Sequence, residues 1–88
     1  MKREQVLLNA NEIVNGARQN TYGNPEDCFK IIGDMWGGYL GIDVSPTDVA
    51  MLMILLKIAR SKNSQKYADN YIDIAGYAAC AGELSNAE

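Results

Sequence analysis

Residues 49–56 read Val-Ala-Met-Leu-Met-Ile-Leu-Leu. Wound into a helix, this run is apolar on every face, and such a helix has to be buried on all sides. It is far too short to span a bilayer, which takes about 20 apolar residues. Its entrance is marked. Ser45 is a preferred cap, Pro46 suits the first helical position, and Asp48 completes a capping box three residues after Ser45. Its exit turns polar, with Lys57, Arg60 and Lys62 suited to the negative end of the helix dipole.

The chain has 88 residues, too few to enclose that element with three other helices. A chain of this length buries roughly 60–65% of the surface its unfolded form exposes. Small domains make up the deficit with disulfides, metals or partner subunits. The run therefore predicts that part of the third helix faces another copy of the chain.

Helix one is expected over about residues 3–16, with Val6, Leu7, Ala10, Ile13 and Val14 on one face and Gly16 as a stop. Helix two starts at Asn24-Pro25, with Asp27 three residues after the cap. Cys28, Phe29, Ile32, Met35, Trp36 and Tyr39 form its apolar stripe, which makes Trp36 and Tyr39 core residues rather than stacking platforms. Gly37, Gly38 and Gly41 weaken its end, and Gly37-Gly38 permits close backbone approach. Helix four covers about 66–84, with Tyr71, Ile74, Ala75, Ala78 and Ala79 as its core face and a fraying tail at 85–88. No segment reads as a strand. The expected architecture is one all-α, four-helix domain over residues 1–88, completed by oligomerisation.

Composition narrows the chemistry. There is no histidine, and the two cysteines, Cys28 and Cys80, lie in apolar helical stretches. Zinc, iron and haem sites lose their usual ligands, and a hard, oxygen-ligated ion such as magnesium is what remains. Covalent catalysis lacks a histidine to activate a nucleophile. Free thiols, together with an N-terminus (Met1-Lys2-Arg3-Glu4-Gln5) that has no signal-peptide core, predict a cytoplasmic protein. A net charge of −3 disfavours duplex nucleic acid as partner.

The richest polar constellation straddles the turn between helices three and four. If these are antiparallel about Asn63–Ser64, Arg60 falls near Ala68 and Asp69, and Lys57 falls near residues 70–73. Asp69, Asp73 and Tyr77 recur every four residues and share a face. Two outcomes are open. The charges form ion pairs that pin a hairpin, or they line a pocket in which Arg60 and Lys57 hold phosphates while Asp69 or Asp73 accepts from hydroxyls or amines, or holds magnesium. A second constellation is Arg18-x-x-Thr21-Tyr22-Gly23-x-Pro25. It is either a loop with Tyr22 packed on the core and Pro25 starting a helix, or a site joining a guanidinium, a hydroxyl, an aromatic face and a helix N-terminus, although Glu26 and Asp27 already complement that dipole.

These segments, with Phe29, Trp36-x-x-Tyr-Leu-Gly, Asp48-Val-Ala, Lys57-Ile-Ala-Arg and Asp69-Asn-x-x-Asp-x-Ala-Gly-Tyr-Ala, resemble across nearly the whole chain a family of small proteins encoded by phages and prophages. The resemblance implies a place in the cytoplasm of an infected bacterium and makes Arg18, Thr21, Tyr22, Lys57, Arg60, Asp69, Asp73 and Tyr77 family hallmarks. More faintly, the chain is similar to all-α nucleotide pyrophosphohydrolases of the MazG type, which hold magnesium with Glu-x-x-Glu and Glu-x-x-Asp pairs. Here the last-helix pair is Asp69-x-x-x-Asp73, and Glu-x-x-Glu does not occur. The expected function is non-catalytic binding of a nucleotide-type ligand, as in a sponge for a host immune signal. The alternatives are magnesium-dependent pyrophosphohydrolysis and inhibition of a host enzyme through the apolar surface.

Overall fold

A computed structural model describes residues 1–16 and 24–88. Four helices run through them: α1 (Arg3–Asn15), α2 (Pro25–Leu40), α3 (Pro46–Asn63) and α4 (Ala68–Leu84). Among the described residues there is no strand. The domain is all-α, as the periodicity predicts. No helix among these residues is long and apolar enough to cross a membrane.

The start of α3 is built as its sequence dictates. The Asp48 N–H donates to Ser45 Oγ at 3.0 Å, and the Ser45 N–H donates to Asp48 Oδ2 at 3.0 Å. Two otherwise orphaned donors are satisfied reciprocally. Asn24 holds the corresponding position before α2, but its side chain does not make the expected capping hydrogen bond.

Helix α2 ends at Gly41, whose φ of 74° lies in the left-handed region that glycine enters at little cost. The chain then doubles back over α2. A Cβ at Gly33 would lie 2.5 Å from the Val44 carbonyl oxygen, and one at Gly37 would lie 2.6 Å from that of Ile42. Close approach at Gly37 was expected from the sequence. Gly38 instead faces open space, and Gly33 takes its place.

The α3–α4 hairpin forms the centre, with α1 packed on α4 and α2 on α3. Val49 and Ala50 are fully buried, and Phe29, Cys80 and Ala81 close around them. Val14, Ile32, Trp36, Val44, Met53, Tyr77 and Leu84 line the margin of this small core.

Several expected core positions face outward. Tyr39 is 90% exposed, Met35 and Leu7 are also exposed, and Trp36 alone of the Trp36–Tyr39 pair packs inward. The apolar stripes of α1 and α2 are wider than the faces their neighbours cover. On α4 the buried positions are Asn70, Ile72, Gly76, Cys80 and Ala81 rather than the expected Tyr71, Ala78 and Ala79, which are exposed. Ala and Gly are small enough to fit either side of a helix, so the 75–82 stretch leaves its inward face undetermined by periodicity. Both cysteines are free thiols, Cys80 buried and Cys28 exposed.

Candidate functional site

The turn joining α3 to α4 is held by short-range bonds. The Ser61 hydroxyl donates to the Ile58 carbonyl at 2.7 Å, the Ser64 N–H to Ser61 at 3.3 Å, and the Tyr67 N–H to Ser64 at 3.0 Å. The Tyr71 phenol donates to the Gln65 carbonyl at 2.7 Å, tying the turn to the second turn of α4. The cationic end of α3 thereby sits beside the acidic start of α4, each complementing its own helix dipole.

Between them lies an open cleft of about 440 Å³, lined by Lys57, Arg60, Asn63, Ser64, Tyr67, Asp69, Asn70 and Asp73. Four residues expected from the sequence, Lys57, Arg60, Asp69 and Asp73, meet here. The register is also as expected: Lys57 Nζ lies 2.9 Å from Asp73 Oδ2. That pair is mostly shielded, with side-chain exposures of 15% and 28%. Arg60 and Asp69 form no ion pair among the described residues. The hairpin-pinning outcome therefore holds for the inner pair, while the outer two charges flank an accessible hollow.

Two lining residues had no signal in the periodicity. Asn70 is the one buried polar side chain among the described residues, at 4% exposure. Tyr67 sits at the N-cap of α4, where no helical spacing marks it. The Asp69 carboxylate, as hydrogen-bond acceptor and as negative charge, holds the Tyr67 phenol above its ordinary value of 10.0. A neutral phenol, a carboxylate, an amide and a guanidinium thus share one mouth.

Tyr77 does not line this cleft. Its ring lies 6.0 Å from that of Phe29 at 34°, within the core margin. The second constellation, Arg18, Thr21 and Tyr22, lies outside the described residues. The described residues that flank it border a smaller cavity of about 200 Å³, whose charged lining is Glu26 and Glu83. No cation lines it among the described residues.

Two carboxylates, Asp69 and Asp73, line the cleft. Asp73 is engaged by a cation 2.9 Å away, which leaves Asp69 as the available carboxylate. No group of three or more Asp, Glu, Cys or His side chains converges among the described residues. Metal-assisted phosphoryl chemistry relies on several converging oxygens to fix the ion and orient water.

The sequence profile of DUF6378, a domain of unknown function, matches residues 5–85. The Gene 55 protein of Mycobacterium phage D29 is 44% identical over 81 residues, covering 92% of this chain and 54% of that protein. The Gene 55 protein of Mycobacterium phage L5 is 45% identical over 74 residues, covering 83% and 47%. The chain thus spans about half the length of the curated relatives it matches. No solved structure matches.

Proposed function

This chain belongs to the DUF6378 family and is similar to phage proteins, and we propose that it binds a nucleotide-type ligand without catalysis at the α3–α4 cleft. The observation that carries this reading is the division of charge at the cleft: Asp73 neutralises Lys57, whereas Arg60 has no ion-pair partner among the described residues. A guanidinium at the rim of a hollow offers a planar fork that matches phosphate oxygens. Asn70 supplies an amide donor and acceptor for a base edge, Tyr67 an aromatic face, and Asp69 an acceptor for ribose hydroxyls. A volume of about 440 Å³ falls within the range of small-molecule sites.

The phage relatives give the reading its setting. A small protein that takes up a nucleotide stoichiometrically acts as a sponge, and a host alarm carried by such a nucleotide would be silenced by it.

The test is calorimetric titration of linear and cyclic nucleotides into the purified chain, with Arg60→Ala in parallel. The expected result is saturable binding that Arg60→Ala weakens roughly 10- to 100-fold, the weight of charge-assisted hydrogen bonds. Absence of heat, together with an unchanged melting temperature at millimolar nucleotide, would overturn the reading.

A further inference from the structure

The outer face of α3 is the part of the molecule least suited to water. Met51, Leu52, Leu55, Leu56 and Ile58 are 42–60% exposed. Asp48 and Lys62, also exposed, bracket this face at its two ends. Positions 48, 51, 55, 58 and 62 follow at alternating steps of three and four, and so do 48, 52, 55, 59 and 62. Both series trace the seam along which two helices interlock.

We propose that a second copy of this chain packs antiparallel against this face, about a two-fold axis at Leu55. In that arrangement, residues equally far from Leu55 on either side meet. Asp48 and Lys62 each stand seven positions away, so each end of the seam joins a carboxylate to an ammonium of the other copy. Leu52 meets Ile58, Met51 meets Ala59, and Leu55 meets its own counterpart. A parallel pairing would instead set Asp48 against Asp48 and Lys62 against Lys62, which charge repulsion disfavours. The self-complementary pattern is what an isologous interface needs.

The apolar stripe of α2, Ile31, Met35 and Tyr39, is exposed as well, but no opposite charges bracket it to select a copy of itself.

Sedimentation of the full chain at about 100 μM should give a dimer, the population expected for a micromolar interface. Leu55→Glu should weaken that dimer roughly a hundredfold, because it buries unpaired charge at the axis, while far-UV circular dichroism stays helical. Lys62→Glu provides a milder second variant on an exposed last turn and should weaken the dimer in a salt-dependent way. In a Cys28→Ser background, Leu55→Cys should cross-link across the axis and Met51→Cys should not. A monomeric wild type, a dimer unaffected by both Leu55→Glu and Lys62→Glu, or equal cross-linking at 51 and 55 would each overturn the proposal.

Discussion

Lys57 and Asp73 meet across the α3–α4 hairpin, Nζ to Oδ2 at 2.9 Å, with most of both side chains withdrawn from water. Arg60, three residues further along α3, has no comparable partner among the described residues. One cation of the cleft is thereby structural and the other is available. The inner pair follows from register, since Asp73 lies opposite Lys57.

That asymmetry predicts unequal costs. Asp73→Ala should lower unfolding free energy by about 1–3 kcal/mol, between the values for exposed and buried pairs. Arg60→Ala should change it by less than about 0.5 kcal/mol. Urea unfolding of both variants measures the contrast. The double variant Lys57→Asp with Asp73→Lys should recover part of the loss, and a cycle that shows no coupling would count against the pair.

Neighbouring glycines in α2 should respond in opposite directions. A methyl at Gly37 meets the Ile42 carbonyl oxygen at 2.6 Å, and backbone cannot swing aside as a side chain does. Gly37→Ala should cost about 1–3 kcal/mol. At Gly38 a methyl meets nothing within 4 Å, so Gly38→Ala should stabilise by about 0.5–1 kcal/mol through helix propensity. Thermal unfolding of the two variants tests both signs.

The two thiols should separate by reactivity. Burial, with a smaller contribution from the Glu83 charge, pushes the Cys80 thiol above its ordinary 9.0. Cys28 is exposed. A disulfide reagent near pH 8 should therefore modify Cys28 rapidly and Cys80 only as the fold opens. A raised value means that the native state holds the Cys80 proton more tightly than the unfolded chain. Its contribution to stability is complete below pH 9.0 and is lost as pH climbs through the native value. Cys80→Ala should flatten that alkaline decline in a pH series of unfolding curves.

Local chemistry was the most legible part of the sequence. The Ser45–Asp48 box could be read directly, because its spacing is a bonding requirement. The Lys57–Asp73 contact followed from counting outward from the turn, because a short hairpin leaves little freedom of register. The inward face of α4 was not legible. Its Ala and Gly residues carry too little apolar contrast to mark one side, and Ile72 settled inside where Tyr71 was expected. Tyr39 and Leu7 illustrate the opposite case, in which apolar residues at helical spacing outnumber the neighbours available to cover them. The sequence sets Asn70 beside Lys57, but its burial at the cleft leaves no periodic trace.

The passage of Ile42 and Val44 across Gly33 and Gly37 also ties a loop's route to two bare positions on the preceding helix. Where a related protein carries a side chain at either position, its 41–45 connection has to climb over α2 by another path. The third helix would then begin from a displaced origin. Two small residues on one element therefore report the course of the segment that comes after it.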